Sequence, residues 1–404
     1  MRYNRPNRLY YRIAQIASWF VAVFVFRRKI LRNEIKGKKG PFVVIANHQA
    51  MLDFVNLIGL TKRPMSFVIS KSFFSSLPIQ GFLKKMGVIP KQQFQTTVRD
   101  MKNIRSVVDN GEAVVIYPAG LMCEDGLSTP IPTATYKFLK WLGADVYMAK
   151  TSGTYFAMPK WAGGIRPGRT YIDVYKLLTK EDLASMTPES IREKAEAALQ
   201  FDAYREQEAL RVRYAKGGNL EGLEHVLYVC PHCSAEYEME ITGGSTIRCR
   251  KCGYEQVSDD WGFLENRKKI GPEIRYVSDW SKWIQQRQKQ QILAEPDIRL
   301  TSDIQIRMVD SRRHRFAEAG TGRLTLNREH FQIEGVIQGE PVSITVPITG
   351  IPTLPFSPGK HIEIQQGDTI YRCLPADGRL VMKYINMLKV FFELNLPARC
   401  RSNV

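Results

Sequence analysis

Short apolar runs separated by segments with helical periodicity dominate the first half of the chain. The runs are rich in β-branched residues and cover residues 42–46, 67–69, 87–89, 113–117 and 145–149. The segments between them, such as V-R-D-M-K-N-I-R-S-V-V-D and T-Y-K-F-L-K-W-L, have the apolar spacing of amphipathic helices. Strands that alternate with helices predict an α/β domain whose functional loops lie at the strand ends. We place this domain at residues 39–215.

The pattern changes in the last third of the chain. Residues 279–293 read as a polar helix within a linker at 263–296, and short runs of alternating apolar and polar residues follow. These runs are separated by predicted turns such as Gly320-Thr321-Gly322 and Gly367-Asp368, and residues 381–394 have helical periodicity. A strand meander that ends in one helix resembles a pleckstrin-homology-like domain, here residues 297–404. The resemblance implies a lipid head group or a protein as ligand, with the basic loop Arg312-Arg313-His314-Arg315 as its candidate site.

The N-terminal segment combines an apolar stretch with basic flanks. Residues 13–26 are mostly apolar, four arginines precede them, and Arg27-Arg28-Lys29 follow at once where a cleavable signal would have small residues. The stretch is shorter than the roughly 20 apolar residues that cross a bilayer. We therefore expect residues 1–38 to form a helix that lies in an anionic membrane surface. The alternative is a core helix of a soluble domain.

Composition narrows the class of protein. The 404 residues, 44% of them hydrophobic, are enough for two to three folded domains. The formal net charge of +18 suits the phosphates of nucleic acids or of anionic lipids. Four of the seven cysteines lie in two C-x-x-C pairs, which is metal-binding spacing and indicates a reducing compartment. Together with the N-terminal segment, this predicts a peripheral or monotopic protein on the cytoplasmic face of a membrane.

The cysteine pairs predict a zinc ribbon at residues 216–262. Cys230, Cys233, Cys249 and Cys252 form C-x2-C-x15-C-x2-C around a hairpin at Gly243-Gly244. Four thiolates close the coordination shell, so we expect Zn²⁺ in a structural role, with His232 not needed as a ligand. Four glutamates in the ribbon disfavour a phosphate backbone, which makes nucleic acid an unlikely partner and favours packing or partner docking. They are Glu236, Glu238, Glu240 and Glu255.

The sequence N-H-Q-A-M-L-D follows the first buried strand and carries candidate chemistry. Within one helix, residues five apart would point about 140° from each other. His48 is instead predicted in the turn after the strand, with Asp53 in the first turns of the next helix. The carboxylate can then reach one imidazole nitrogen, which leaves the other free to accept a proton from a hydroxyl.

This segment resembles the N-H-x-x-x-x-D signature of the glycerolipid acyltransferases, typified by 1-acylglycerol-3-phosphate acyltransferase. Two further motifs follow in the family's order, and the resemblance covers roughly residues 1–215. The second motif is carried by Lys71, Pro78, Gly81 and Gly87, and the third by Tyr117, Pro118 and Gly120.

The resemblance implies a mixed sheet flanked by helices and acyl transfer from acyl-CoA or acyl-carrier protein to a lysophospholipid. It implies His48 as the general base and Asp53 as the residue that orients it. Lys71, Lys91 and Gly120 are the implied head-group-binding residues.

The chain also departs from the family pattern. Ala119 replaces a glutamate, Met122 replaces an arginine, and Gln93 stands where the family has a phosphate-binding arginine. Lysines could replace the lost guanidinium contacts as point charges, namely Lys71, Lys84, Lys85 and Lys91. These departures leave a second hypothesis open, a catalytically reduced relative that binds lipid and scaffolds other proteins.

Two charged segments near these motifs admit more than one interpretation. Glu124-Asp125 could repel a phosphate or bind a cationic or polyhydroxyl head group, but a solvated turn is the expected role. Arg166 and Arg169 flank a Pro-Gly turn in a predicted strand-turn-strand segment. They could line the acceptor site, although an exposed basic turn is the commoner explanation.

Overall fold

The computed structural model describes residues 5–93, 97–310, 313–367 and 369–395. Arg312, Asp368 and Cys400 lie outside these ranges. The chain divides into two compact units. The first comprises Met1–Pro159 and Gly164–Gly217, and the second comprises Lys160–Gly163 and Gly218–Val404.

A seven-stranded mixed sheet forms the centre of the first unit, in the order β1-β7-β6-β2-β5-β3-β4. Its strands are β1 Lys29–Asn33, β2 Phe42–Ala46, β3 Met65–Ser70, β4 Ile89–Lys91, β5 Ala113–Ile116, β6 Asp145–Ser152 and β7 Tyr171–Leu178. β2, β5, β3 and β4 run parallel, whereas β6 and β7 pair antiparallel. The carboxyl ends of these four parallel strands therefore meet at one edge, where the motif residues lie.

Helices cover both faces of this sheet. They are α1 Arg8–Phe20, α2 Asp53–Ile58, α3 Lys71–Ser75, α4 Gln80–Lys85, α5 Val98–Asp109, α6 Ala134–Leu142, α7 Thr154–Ala157, α8 Lys180–Ser185, α9 Pro188–Leu199 and α10 Ala203–Leu210, with a π-helical turn at Val21–Val25 after α1. Capping boxes begin α5 at Thr97 and α8 at Thr179. The predicted α/β class with a mixed sheet flanked by helices is confirmed.

The core of the first unit follows from the run F-V-V-I-A in β2, all of which is buried. Phe42, Val44 and Ala46 belong to the apolar cluster that packs under α1 and α2. Val43 and Ile45 belong to the cluster under α5, α6 and α9. Because successive strand residues point to opposite faces, a strand buried on both faces must be continuously apolar.

The second unit contains two sheets and two longer helices. A four-stranded sheet has the order β11-β10-β9-β8, from β8 Met239–Thr242, β9 Thr246–Cys249, β10 Glu255–Ser258 and β11 Leu264–Glu265. Helix α11 Val277–Ala294 follows and buries Trp280, Ile284 and Ile292 along one side. The helix predicted as a polar linker thus contributes to the core of this unit.

The last seven strands form one antiparallel sheet that is followed by α12 Leu380–Asn395. These strands are β12 Leu300–Asp310, β13 Arg315–Leu326, β14 His330–Ile337, β15 Glu340–Pro347, β16 Phe356–Ser357, β17 His361–Gln366 and β18 Thr369–Pro375. Their order is β15-β14-β13-β12-β18-β17-β16, so the first and last strands are neighbours. This confirms a C-terminal β-rich region.

The turn predicted at Gly320-Thr321-Gly322 is wrong, because these residues lie inside β13. The register between β12 and β13 shifts beside Gly320, which marks a β-bulge. A Cβ atom at Gly320 would collide with the carbonyl oxygen of Val336 on β14. The glycines therefore permit a close approach of two strands rather than a chain reversal.

Candidate active site and metal centre

His48 and Asp53 meet at the carboxyl end of β2. His48 lies two residues beyond the strand, and Asp53 is the first residue of α2. The Nδ1 atom of His48 lies 2.9 Å from Oδ2 of Asp53. The structure thus brings together the two residues that the motif singled out, in the geometry expected from their spacing.

The carboxylate of Asp53 is held firmly. It is fully buried, and its Oδ2 atom also accepts hydrogen bonds from the backbone N–H groups of Gln49 at 2.7 Å and Ala50 at 2.9 Å. An ionised carboxylate only accepts hydrogen bonds, so Nδ1 of His48 carries the proton in this pair. Nε2 then keeps its lone pair, and within the described chain no residue forms a hydrogen bond to it.

Asn47 and Gln49 fix the loop that carries His48. The Asn47 side chain donates to the carbonyl of Thr151 at 2.8 Å and accepts from its N–H at 2.8 Å. Gln49 Oε1 accepts from Thr154 Oγ1 at 3.1 Å. The sequence analysis did not identify either positioning residue. Asn47 and Gln49 flank His48 directly after a fully buried strand, and this placement could have indicated them, because buried amide side chains need hydrogen-bond partners.

The loop after β5 forms one wall of the site. The Tyr117 ring packs on the His48 imidazole with centroids 4.4 Å apart, and the backbone N–H of Cys123 donates to the carbonyl of His48 at 3.3 Å. Gly120 closes the turn that begins at Tyr117 and has a φ of +70°, which favours glycine. The loops after β2 and β5 therefore support each other around the imidazole.

The second unit brings its four predicted metal-ligating cysteines together. The sulfur atoms of Cys230, Cys233, Cys249 and Cys252 all lie within 4.8 Å of one another. The Cys230–Cys252 and Cys233–Cys249 sulfur distances are 3.6 and 3.8 Å. A tetrahedral Zn²⁺ with bonds of about 2.3 Å requires sulfurs about 3.8 Å apart, so these residues fit that ion.

Both knuckles have the same local conformation. The residue after the second cysteine of each pair has positive φ, at Ser234 and Gly253. In each knuckle the N–H of that residue donates to the carbonyl of the first cysteine at 3.0 Å. This repeated turn places both sulfurs of a pair on the same side of the knuckle. The hairpin of β8 and β9 then brings the two pairs together.

The ribbon is tied to the helices of its own unit. Lys383 of α12 lies 2.6 Å from Glu236, and Arg379 donates to the carbonyl of Tyr237 at 3.0 Å. The indole N–H of Trp280 on α11 donates to the carbonyl of Val229 at 3.0 Å. Three of the four ribbon glutamates considered above form ion pairs, so their charge is partly compensated: Glu236, Glu238 and Glu255.

One family model matches the part of the chain that carries the first site. Residues 26–157, which contain the His48–Asp53 pair and the loop after β5, match the family model described as acyltransferase. The first unit therefore contains an acyltransferase-family domain. Residues 223–255 match a zinc-ribbon model described as DNA directed RNA polymerase, 7 kDa subunit.

Individual relatives of the acyltransferase-family domain carry similar names. A 1-acyl-sn-glycerol-3-phosphate acyltransferase of Chlamydomonas reinhardtii is 26% identical over 172 residues, which is 42% of this chain and 51% of that protein. The chain thus spans about half the length of this curated relative. The crystal structure of the 1-acyl-sn-glycerophosphate (LPA) acyltransferase PlsC from Thermotoga maritima matches with a TM-score of 0.40 and 18% identity, over 50% of this chain and 78% of that one.

The head-group residues implied by the family resemblance lie at the same edge of the acyltransferase-family domain. Lys71 begins α3 directly after β3, and Lys91 ends β4 with its backbone in register with Ser70. Burial lowers the pKa of the Lys91 amine, whose Nζ donates to the carbonyl of Gln92 at 3.2 Å. Gln93 donates to the carbonyl of Gly120 at 2.5 Å, which links the loops after β4 and β5.

Two other lysines considered as substitutes have contacts elsewhere. Both end α4, where Lys85 donates to the Tyr10 hydroxyl at 2.8 Å and Lys84 lies 5.9 Å from the centre of the Phe74 ring.

The solvated turn expected at Glu124-Asp125 is wrong. The two residues are only 4% and 3% exposed, because the segment passes under the His48 loop and Gly126 accepts a hydrogen bond from Ala203 of α10. Burial chiefly, and then the charges of these two acids, raise the pKa of the Cys123 thiol. The sequence pattern of two acidic residues beside a glycine predicts a surface turn, but in this domain the two residues are in the interior.

The basic turn at Arg166 and Arg169 is also only partly as expected. Arg169 is exposed, whereas Arg166 is 6% exposed and its N–H donates to the carbonyl of Ala157 at 2.7 Å. The segment is not a simple strand-turn-strand either, since the short helix α7 follows β6 before the chain reaches β7. The interpretation as an exposed turn is therefore wrong for Arg166.

Replacing Tyr117 by phenylalanine is expected to raise the free energy of unfolding by about 1 kcal/mol, because a buried hydroxyl without a partner is costly. The Tyr117 hydroxyl is buried and has no hydrogen-bond partner in the described part of the chain, and burial raises its pKa. Tyr136→Phe is the matched control, since the Tyr136 hydroxyl donates to Glu196 at 2.9 Å and its removal should destabilise the protein. Thermal unfolding of both variants measures the difference, and a clear loss of stability in Tyr117→Phe would contradict the prediction.

Proposed function

We propose that the acyltransferase-family domain transfers a fatty acyl group from an acyl thioester to a hydroxyl of a lysophospholipid of the lysophosphatidate type. The observation that carries this proposal is the His48–Asp53 pair, at 2.9 Å, inside the segment that matches the acyltransferase family. The thioester is carried by CoA or by acyl-carrier protein. The Chlamydomonas relative, named for acylation of 1-acyl-sn-glycerol-3-phosphate, supports this class of acceptor.

The proposed reaction uses His48 first as a base and then as an acid. Nε2 of His48 accepts the proton of the acceptor hydroxyl while the hydroxyl oxygen forms a bond to the carbonyl carbon of the thioester. The carbon–sulfur bond of the tetrahedral intermediate then breaks, and the leaving thiolate takes the proton back from the imidazolium. Asp53 holds the ring in place and stabilises its positive charge during the reaction.

The acceptor phosphate would lie near the loops after β3, β4 and β5. Lys71 and Lys91 supply ammonium groups as point charges, and the space beside Gly120 is open, since a Cβ atom there would meet nothing within 4 Å. Gln93 takes the place of the family's arginine. Met122 takes the place of the second one. We therefore propose weaker binding of the phosphate than two guanidinium groups would give, since each charge-assisted pair contributes about 1.5–3 kcal/mol.

We further propose that α1 and the π-helical turn lie in an anionic membrane surface, on the cytoplasmic face. No helix among the described residues is both long and apolar enough to span a bilayer. Large apolar side chains along this segment are nevertheless exposed, including Leu9 at 66% and Phe24 at 64%. Trp19 and Phe20 contact each other and Phe24, while arginines flank the segment, which suits an interfacial helix.

Phe24→Ala is expected to weaken binding to vesicles that contain phosphatidylglycerol by at least about tenfold, because an exposed phenylalanine contributes about 1.5–3 kcal/mol when it is buried in an apolar phase. Trp141→Ala is the matched control, since this aromatic ring is also exposed but its helix α6 packs on the opposite face of the sheet. Vesicle flotation measures both. Equal losses in the two variants would argue against a specific membrane face.

Acyl transfer assays test the proposed function directly. Radiolabelled acyl-CoA and acyl-carrier protein are offered with a panel of lysophospholipids that differ in head group, and labelled diacyl product is measured. Product with lysophosphatidate supports the proposal, and the better donor identifies the carrier. Absence of product with every donor and acceptor would reject it.

A second candidate function is a lipid-binding scaffold without turnover. The hydrogen bond from Gln93 to Gly120 favours the scaffold, because Gln93 stands where the family has a phosphate-binding arginine and its amide binds the protein backbone. Ala119 and Met122 are further departures from the family pattern. Saturable binding of lysophosphatidate without product formation would distinguish this function from the enzyme.

A further inference from the structure

The C-terminal sheet of the second unit carries a large open cavity. Its volume is about 1080 Å³, and residues of β12, β13, β14 and β18 line it together with the residues around the start of β17. A small-molecule site usually occupies about 300–1000 Å³, so the cavity is large enough for a whole phosphorylated metabolite or a lipid head group. Nothing in the acyl-transfer site described above involves this unit.

Four basic side chains line the cavity against two carboxylates. The basic residues are Arg307, Arg323, Lys360 and Arg372, and the carboxylates are Asp303 and Glu334. Arg307 and Arg372 stand directly opposite each other in the register of β12 and β18. Like charges at directly opposed positions of a strand pair repel each other, and an anion bound between these two side chains would weaken that repulsion.

Internal carboxylates compensate these arginines unequally. Arg372 lies 2.6 Å from the buried Glu363, and Arg323 lies 3.3 Å from Asp303. The ion pair of Arg307 is weaker, because its partner among the described residues is the mostly exposed Glu318, at 3.8 Å. The Nε atom of Arg307 is buried and has no hydrogen-bond partner in the described ranges. Arg307 is thus the arginine of this cavity whose charge is least compensated by carboxylates.

His361 adds a neutral polar group to the same wall. Burial above all, followed by the charges of Arg372 and Lys360, lowers the pKa of His361 to about 3. At neutral pH the imidazole therefore has one N–H donor and no charge of its own. The positive charges around this ring thus add to the effect of its burial.

We propose that this cavity is a binding site for the phosphate group of a phosphorylated ligand, held by Arg307, Arg372 and Lys360. Guanidinium and ammonium groups form short, strong hydrogen bonds to phosphate oxygens, and an anion relieves the repulsion between the two opposed arginines. The site differs from the basic loop that the sequence suggested. In that loop Arg313 lies 3.8 Å from Asp310, and the described loop residues 313–315 do not line the cavity.

Titration of the full-length protein tests the proposal with two probes. Calorimetry with inorganic pyrophosphate measures a soluble phosphate source. Flotation compares phosphatidylcholine vesicles that contain phosphatidic acid with vesicles of equal surface charge that contain phosphatidylglycerol, because any anionic surface is expected to bind the N-terminal helix. A lipid source is measured as the gain that phosphatidic acid produces over phosphatidylglycerol. Binding of pyrophosphate without that gain assigns a soluble ligand, and a gain with phosphatidic acid assigns a lipid head group.

The variants decide whether this cavity is responsible. Arg307→Gln and Lys360→Gln are each expected to weaken binding of the active probe at least about tenfold. Arg328→Gln, an exposed arginine at the β13–β14 turn, should bind like wild type. Thermal unfolding checks that each variant is folded. Arg313→Gln tests the basic loop in the same assays. The proposal is overturned if wild type binds neither probe, if both cavity variants bind like wild type, or if only Arg313→Gln abolishes binding.

Discussion

Replacing His48 by alanine is expected to lower the rate of acyl transfer by about 10²–10⁴-fold, the usual contribution of a positioned general base. The loss should appear in kcat, because alanine leaves no group to accept the hydroxyl proton. The fold should survive, since the imidazole is partly exposed and contacts Tyr117 mainly through one ring face. Initial rates with saturating donor measure the effect.

Asp53→Asn supplies the companion test of the same pair. The carboxylate oxygen accepts from His48 and from two backbone N–H groups, and an amide nitrogen at that position would face three donors. We expect either a misplaced ring or the other tautomer, and a rate loss that approaches that of His48→Ala. His330→Ala in the second unit is the control and should keep full activity.

More than a tenth of wild-type activity in His48→Ala would show that another group removes the proton.

Removal of zinc is expected to unfold the ribbon, because metal binding contributes on the order of 10 kcal/mol to the folding of such sites. Cys249 is fully buried at the end of β9, and its sulfur lies 3.8 Å from that of Cys233. The Cys249→Ser variant should therefore lose bound zinc and much of the thermal stability of the second unit. Elemental analysis and thermal unfolding measure the two effects.

Cys373→Ser separates the metal from the general cost of changing a buried cysteine. Cys373 is also fully buried, but it lies in β18 and outside the four-cysteine cluster. This variant should lose some stability and keep its zinc. Less than about half an equivalent of zinc in wild-type protein prepared without chelators would count against the four-thiolate site.

Much of the fold could be predicted because its signals are local. The run F-V-V-I-A is buried on both faces, so its continuous apolar character is itself the signature of a central strand. The His48–Asp53 pair and the cysteine knuckles are also local, since few residues separate their members. Short spacing fixes geometry once the strand and the turn are known.

Features that depend on remote contacts could not be predicted in this way. Glu124, Asp125 and Arg166 are charged residues beside turns, and local sequence does not show that α10 and the His48 loop cover part of this region. The cavity arginines come from different strands, so only the register of β12 with β18 reveals that Arg307 and Arg372 face each other. The bulge at Gly320 likewise becomes visible only when β14 is in place.

The contacts between the ribbon and α12 have a consequence for local unfolding. Lys383 and Arg379 reach Glu236 and the carbonyl of Tyr237, next to the first knuckle. We expect segments joined in this way to open together, as one cooperative unit in native-state hydrogen exchange. The amide protons of the ribbon hairpin and those of α12 should therefore exchange with a common opening free energy. The contacting residues Glu236 and Lys383 are 147 positions apart in the sequence.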